Sequence, residues 1–211
     1  FIAGKVTEDI TEKINNLIKD ELIPSAKERY IPGFNIYYSK SIWKKIIKEI
    51  FNSYEMKTIN RAYYKFNKQK DNDYNKIPEN INLKPIDCEL LNSDYKNMKQ
   101  MKGWIRSFWR SCRDFEKKGI GYSLIKNDMI VSWSFSVYVN ANFYELAVAT
   151  VENQREKNYG SIAAATTVAK AKEKNLNIDW HCNIDNTPSV IIAENIGFEK
   201  QKDYKIISVD F

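Results

Sequence analysis

The spacing of apolar residues changes along the chain between the period of a strand and that of a helix. In residues 129–139 apolar and polar residues alternate, which predicts a strand whose single apolar face holds Val131, Trp133, Phe135, Val137 and Val139. From about residue 83 onwards the pattern predicts three hairpin-linked strands, a helix, a strand, a helix and a last strand. This order predicts an α+β fold on a mixed sheet, with a cleft where two neighbouring strands part.

The first 80 residues show a separate pattern of helices and strands. We expect helices at residues 7–22, with Thr7 as N-cap, and 41–51, and strands at 33–38 and 62–66. Residues 67–82 have almost no apolar content, which predicts an exposed linker. We therefore expect two parts: residues 1–80, a small α/β segment with a structural or substrate-wall role, and residues 81–211, which hold the main sheet. Because the chain begins at Phe1 rather than Met, we expect it to be trimmed.

Composition narrows the classes of protein that fit. Of the 211 residues, 33 are Lys or Arg and 27 are Asp or Glu, which gives a net charge of +6. These charges are interleaved, so we expect no nucleic-acid partner, whereas attraction of a small polyanion fits. No apolar run approaches the ~20 residues that span a bilayer, and no secretory signal is evident. We expect a cytoplasmic protein with no membrane partner.

The cysteines and the histidine argue against a metal site. Cys88, Cys112 and Cys182 are odd in number and widely spaced, which fits neither a disulfide framework nor a zinc site. His181 is the only histidine of the chain, so a His-rich metal site is excluded. We expect reduced cysteines and no metal.

One continuous stretch predicts an anion site. Residues 144–151 form an apolar run of strand length, residues 152–159 are polar, and residues 160–171 form an Ala-rich helix candidate. The first N–H groups of a helix lack partners within it, and the helix dipole favours negative charge there. This stretch is therefore a candidate phosphate cradle, and the alternative is a solvated turn before an ordinary core helix.

Two motifs in this region resemble those of the GNAT superfamily of acyl-CoA N-acyltransferases. The family signature Q/R-x-x-G-x-G/A corresponds to residues 155–160, where Arg155 and Gly160 match and Asn158 replaces the first glycine. Asn tolerates positive φ, so the turn can still form. A second feature, an Asn followed by a helix that ends in Gly-Phe, corresponds to residues 186–198. The order of segments resembles the branch that includes zwittermicin-resistance-type acetyltransferases, over nearly the whole chain.

The resemblance implies a mixed, mostly antiparallel sheet flanked by helices, and acetyl-CoA as co-substrate. It assigns the pyrophosphate to Arg155, Glu156, Lys157, Asn158, Tyr159, Gly160 and Ser161. It assigns the pantetheine arm, which can pair with a strand edge, to Val148, Ala149 and Thr150. Asn186 and Ser189 are expected near the same arm, and helix capping is their alternative role.

Transfer to an amine requires a base and a proton for the leaving thiolate. Glu145 is the first candidate base, since it lies in an otherwise apolar strand where burial would raise its pKa. Tyr144 is the neighbouring candidate, but it points to the opposite face, so only one of the two can face the substrate. His181 is a third candidate, as a base or a substrate contact, with a structural role as the alternative.

No nucleophile is evident, Cys182 included, so we expect direct attack within a ternary complex. Many GNAT members carry a tyrosine as general acid where this chain has Ala193. Solvent or another group, with Tyr138 and Tyr159 as alternatives, is then expected to protonate the thiolate.

The sequence thus predicts an N-acetyltransferase that moves an acetyl group from acetyl-CoA to a primary amine of a small molecule. Two alternatives stay open: a non-catalytic acyl-CoA-binding or regulatory protein on the same fold, and a protein-interaction module. Either a monomer or a homodimer fits.

Overall fold

The computed structural model describes residues 1–28, 31–68, 70, 74, 76–141 and 143–210. Its contacts divide the chain into two compact units. The first comprises Phe1–Arg61 and Asp203–Phe211, and the second comprises Ala62–Lys202. The sequence predicted one division near residue 80, and that domain assignment stays a prediction.

The first unit combines helices with a small set of strands. Its strands are β1 (Gly33–Tyr37), the start of β2 (Glu55–Phe66) and the end of β8 (Phe198–Asp210), and β1 pairs with β8 antiparallel. Its helices are α1 (Glu8–Asn16), a π-helical segment (Leu17–Leu22), α2 (Ile23–Glu28) and α3 (Ser41–Ile50).

The first helical region was predicted only in part. The Thr7 hydroxyl accepts a hydrogen bond from the Ile10 N–H at 3.3 Å, which confirms the predicted N-cap. The helical structure runs past the predicted end at residue 22, since the π-helical segment leads directly into α2, which contains Pro24. Of the neighbouring apolar residues of the π-helical segment, Ile18 is buried, but Leu17 is 43% exposed.

The second unit is a sheet covered by helices on both faces. Its further strands are β3 (Asn82–Pro85), β4 (Gly121–Lys126), β5 (Met129–Asn140), β6 (Phe143–Thr150) and β7 (Asn177–Asn183). Its helices are α4 (Cys88–Leu91), α5 (Met98–Phe108), α6 (Cys112–Lys118), α7 (Tyr159–Glu173) and α8 (Thr187–Ile196). The strand order is β2-β7-β6-β5-β4-β3. The β3–β4, β4–β5 and β5–β6 pairs are antiparallel and the β6–β7 pair is parallel, which confirms the predicted mixed, mostly antiparallel sheet.

The two faces of this sheet pack against different helices. On one face Leu146 of β6 and Trp180 of β7 pack with Val168 of α7. On the other face Ala147 of β6 packs with residues of α5 and α6, among them Met101. We call these the α7 face and the α5 face.

Strand β5 was predicted to present one apolar face, but two register shifts divide it. Trp133, Phe135 and Val137 do share the α5 face. Val131 packs in a cluster with the first turns of α7, and Val139 pairs with a β6 residue on the α7 face. The prediction is wrong for Val131 and Val139, because each β-bulge adds one residue and reverses the facing of what lies beyond it.

Candidate functional site

Strands β6 and β7 run side by side and then separate. Their register is defined from Phe143 opposite Asn177 to Leu146 opposite Trp180. Strand β6 continues to Thr150 and β7 to Asn183, and no pairing between these last residues is present in the described part of the two strands. We call this gap the fork, and it is a parting of neighbouring strands of the kind that the sequence predicted without giving its position.

The backbone groups of β6 that face the fork follow from its pairing with β5. The Val151 N–H donates to the Val131 carbonyl at 3.0 Å, and the Ala149 carbonyl accepts a hydroxyl from β5 at 2.8 Å. Because successive residues of a strand direct their backbone groups to alternate sides, the N–H and C=O groups of Val148 and Thr150 point into the fork. Of the three residues assigned to the pantetheine arm, Val148 and Thr150 are thus the two whose backbone N–H and C=O groups are directed to the free edge of β6.

The turn from β6 into α7 leaves helix N–H groups available. A 3₁₀ turn at Glu152–Gln154 is followed by two exposed residues with positive φ, Glu156 at 61° and Asn158 at 59°. Asn158 therefore adopts the conformation that its substitution for glycine requires. Its side chain does not cap α7, so the first N–H groups of this 15-residue helix point outwards without a helical partner.

Gly160 brings the start of α7 close to the fork. A Cβ at this position would lie 3.1 Å from Thr150 Oγ1, 3.2 Å from Ile192 Cδ1 and 3.8 Å from Val148 Cγ2. Ser161, the next residue, is also buried. The small residues Gly160 and Ser161 thus let the N-terminus of α7 approach the free edge of β6.

The charged side chains of the turn differ in how they are held. Arg155 is exposed, whereas Lys157 Nζ donates to Gln154 Oε1 at 3.1 Å within the turn itself. Tyr159 points into the core, where its hydroxyl accepts a hydrogen bond from Lys126 Nζ at 3.2 Å. Lys126 is thus a cation beside the turn that the sequence did not reveal, because it comes from the β4–β5 hairpin.

Asn186 and Ser189 have structural partners at the start of α8. The Asn186 side chain accepts from the Ser189 N–H at 3.3 Å, which is the capping role held open as an alternative. The Ser189 hydroxyl accepts from the buried Trp180 indole at 3.1 Å. Their contact with a pantetheine arm stays a prediction.

A cluster of ionisable and aromatic side chains lies on the α5 face at the fork. Glu145 of β6 is directly opposite Asp179 of β7, and His181 follows two residues later, just past the last pair. The Tyr63 hydroxyl of β2 donates to Asp179 Oδ1 at 3.1 Å. The Tyr63 ring also stacks on His181, with centroids 4.7 Å apart and planes at 14°. Two predicted candidates, Glu145 and His181, thus share one face with two residues that the sequence did not single out.

The environment of this cluster shifts two pKa values. Burial raises the pKa of Asp179, against the Tyr63 hydrogen bond and the positive charge of Lys65, which both lower it. Burial and the nearby Asp179 charge raise the pKa of Tyr63. A neutral Tyr63 at physiological pH therefore stays a hydrogen-bond donor to Asp179.

The second bulge of β5 adds an aromatic side chain to this face. Ser136 pairs with Leu146 and Tyr138 pairs with Glu145, so Val137 is the extra residue. Tyr138 therefore stands beside Glu145, and its ring meets that of Phe108 from α5 edge-on, with centroids 5.5 Å apart. The rings are 56% and 40% exposed respectively.

Tyr144 lies on the face opposite to Glu145. It packs against the cluster that contains Leu146 and Trp180, as the alternation of the strand predicted. Ala193 is fully buried in the same cluster. Of the candidate residues of β6, Glu145 therefore shares the face of Asp179 and His181, and Tyr144 does not.

The three cysteines differ in their surroundings. Cys88 and Cys112 are half-buried free thiols, and Cys182 is buried. A hydrogen bond with Cys112, together with burial and the nearby Glu116, raises the pKa of Cys88 to about 12, so this thiol stays protonated at neutral pH. Within the described ranges no group of three or more His, Cys, Asp or Glu is placed to hold a metal ion. None of the helices described is long and apolar enough to cross a membrane.

Comparison with known proteins gives consistent matches. The family model described as GNAT acetyltransferase matches residues 1–207. The chain is 22% identical over 207 residues to the Uncharacterized N-acetyltransferase YdfB of Bacillus subtilis (strain 168), covering 98% of this chain and 76% of that protein.

Solved structures show the same fold. A GCN5-related N-acetyltransferase-like protein from Streptococcus suis 89/1591 aligns with a TM-score of 0.67 and 19% identity, over 83% of this chain and 70% of that one. A GCN5-related N-acetyltransferase from Kribbella flavida aligns with a TM-score of 0.57 and 11% identity, over 99% of this chain and 77% of that one.

Proposed function

This chain belongs to the GNAT acetyltransferase family, and on that premise we propose that it transfers the acetyl group of acetyl-CoA to a primary amine of a small molecule. The observation that carries the proposal is the fork. The free edge of β6 and the uncapped N-terminus of α7 lie close together at the buried Gly160, which is in the first turn of α7. An extended amide chain that ends in phosphates matches both features.

The residues of the turn and of β6 fit acetyl-CoA. The N–H groups of Asn158, Tyr159, Gly160 and Ser161 are those that a helix leaves without partners, and such groups bind phosphate. Arg155 and Lys126 add positive charge beside them. Val148 and Thr150 offer N–H and C=O groups to the amides of the pantetheine arm, in the manner of an added strand.

Acetyl-CoA supplies a thioester, and the chain supplies the groups that orient and deprotonate the amine. The amine nitrogen forms a bond to the thioester carbonyl carbon, the carbon–sulfur bond breaks, and the thiolate takes a proton from solvent. A base on the α5 face removes a proton from the nitrogen. Glu145 is the first candidate, and His181 at the fork is the second.

Binding of acetyl-CoA tests the donor side directly. Titration calorimetry should detect binding to the wild type, and Arg155→Glu should weaken it by placing a negative charge beside the phosphates. Lys172→Glu is the matched control, because it makes the same change of charge at the exposed far end of α7. No detectable binding to wild type at millimolar acetyl-CoA would contradict the proposal, as would equal binding by Arg155→Glu.

A second candidate function is acyl-CoA binding without transfer. It is favoured by Ala193, which stands buried at the position where many family members carry a tyrosine acid. A thiol-release assay over a panel of primary amines separates the two. Release with any amine supports transfer, and acetyl-CoA binding without release over the whole panel supports the second candidate.

A further inference from the structure

We propose that Asp179 and Tyr63 form the acceptor subsite of this site: Asp179 binds the ammonium form of the incoming amine, and Tyr63 fixes the positions of the Asp179 carboxylate and the His181 ring. The ligand class is a primary amine whose cationic group adjoins an aromatic or apolar body. This inference rests on the proposed acetyl transfer, and it specifies where that reaction binds its acceptor.

The position of Asp179 is the first support. It is directly opposite Glu145 in the parallel β6–β7 pair, one residue before that pairing ends. Paired residues of neighbouring strands point to the same face, and the strands lie about 4.8 Å apart. A carboxylate and the candidate base therefore flank the point where the strands open, which is where an acceptor nitrogen has to meet a thioester held in the fork.

Tyr63 makes two contacts that order this subsite. Its hydroxyl donates to Asp179 Oδ1 at 3.1 Å, and its ring stacks on His181 at 4.7 Å. One oxygen of Asp179 is thus held by a neutral donor, which orients the carboxylate and leaves its negative charge in place. Tyr63 is a positioning residue in this arrangement.

The aromatic side chains on the same face are the independent second support. Phe108 and Tyr138 form an edge-on pair beside Glu145 and remain 40% and 56% exposed. Exposed aromatic faces next to a carboxylate are suited to an organic cation, since the rings take its apolar body and attract its charge. The bulge at Val137 is what turns Tyr138 to this face.

The single histidine provides a direct readout. In protein without a histidine tag, His181 gives the only imidazole signals in the NMR spectrum, and the stacked Tyr63 ring lies close enough to influence them. We would titrate 2-phenylethylamine at pH 7 and follow the His181 ring protons, with and without CoA. The uncharged 2-phenylethanol is the matched ligand, because it has the same ring and chain without the ammonium group.

Wild type should bind the amine about tenfold or more tightly than the alcohol, since a hydrogen bond to a charged group is worth at least that ratio. Asp179→Asn should raise the Kd of the amine about tenfold or more and leave that of the alcohol unchanged. Tyr63→Phe keeps the stacking, so the His181 signals should stay close to their native positions while the amine Kd rises. Glu173→Gln, an exposed residue of α7, is the control and should change neither value.

Three outcomes would overturn the inference. They are equal affinity of wild type for the amine and the alcohol, an unchanged amine Kd in Asp179→Asn, and no response of His181 to millimolar amine. Far-UV circular dichroism and urea denaturation of the free variants verify that the fold is intact.

Steady-state kinetics separate this inference from the proposed function. With an amine that releases thiol, Asp179→Asn should raise the KM for that amine and leave the Kd of acetyl-CoA unchanged. Failure of acetyl-CoA to bind wild type contradicts the proposed function. Normal acetyl-CoA binding and thiol release with an unchanged amine KM contradicts only the acceptor subsite.

Discussion

The two sides of the fork that we propose for the acyl donor and for the acceptor are built in opposite ways. The donor side is one continuous stretch, residues 148–161, in which a strand edge, a turn and a helix start follow each other. The acceptor side combines side chains from β2, α5, β5, β6 and β7, and its central hydrogen bond joins residues 116 positions apart. The donor side therefore relies on backbone groups and the acceptor side on side chains. This difference explains how Asn158 can replace a glycine on the donor side, since only its backbone conformation matters there.

The largest effect is expected on the acceptor side, from Glu145→Gln. Loss of the candidate base should lower kcat about 10²–10⁴-fold, because the amide cannot take the proton of the nitrogen. The Kd of acetyl-CoA should not change, since the donor side contributes backbone groups. Thiol release and calorimetry measure the two quantities, with Glu173→Gln as the control. An unchanged kcat would remove Glu145 from the role and leave His181.

The next largest effect is expected on the donor side, from Gly160→Val. A Cβ already meets Thr150 and Ile192 at 3.1 and 3.2 Å, and the two further methyl groups of valine overpack this contact. The free energy of unfolding should fall by about 1–3 kcal/mol. Urea denaturation measures it, and Ala169→Val is the control at a half-buried position of the same helix. Equal losses in both variants would show that the approach of α7 to β6 is not tight.

A smaller effect is expected from Lys126→Gln on the donor side. If backbone groups carry most of the phosphate binding, removal of one partly exposed cation should weaken acetyl-CoA binding no more than about fivefold, the range of an exposed ion pair. Calorimetry at low and high salt measures the effect, which should shrink with added salt. A much larger loss would show that side chains dominate on the donor side too.

The smallest effect is a change in the pH dependence of stability, from Asp179→Asn. Burial raises the pKa of Asp179 above its ordinary value of 3.8, so the native state keeps this proton to a higher pH than the unfolded state does. The contribution of this group to stability is fully present below pH 3.8 and is lost as the pH rises through the native pKa. Because the carboxyl is partly exposed, solvent screening keeps this change small.

Urea denaturation at a series of pH values measures this change. Wild type should lose stability relative to Asp179→Asn as the pH rises from 3.8 through the raised native pKa, and run parallel to it once the carboxyl is ionised in both states. Parallel curves over the whole range would show that burial does not perturb this carboxyl.

Local patterns in the sequence predicted most of the second unit. Asn127 and Asp128, between β4 and β5, both have positive φ, which Asn and Asp tolerate better than most side chains. The end of α8 at Gly197 was predicted from the Asn–helix–Gly-Phe motif, and this glycine has φ 109°. Such features depend on a few adjacent residues, so the sequence contains them directly.

The acceptor side could not be predicted in this way because it depends on register. Nothing near Tyr63 in the sequence indicates that its hydroxyl meets Asp179, since that contact requires β2 and β7 to be neighbours. An acidic residue in an otherwise apolar strand was the available signal. It pointed to Glu145 and applies equally to Asp179, which stands between Ile178 and Trp180.

The extra residue at Val137 also determines which side chains of β5 reach the proposed acceptor subsite. Strand β5 holds one residue more than β6 at this point, and Trp133 and Phe135 lie in the core beside the bulge. Tyr138 and Val139, which lie beyond it, pair with Glu145 and Tyr144 and so lie on the sides of the sheet opposite to those that strict alternation would give. The same sequence without the bulge would place Tyr138 on the α7 face, so the bulge provides the aromatic wall of the proposed acceptor subsite and leaves residues 148–161 unchanged.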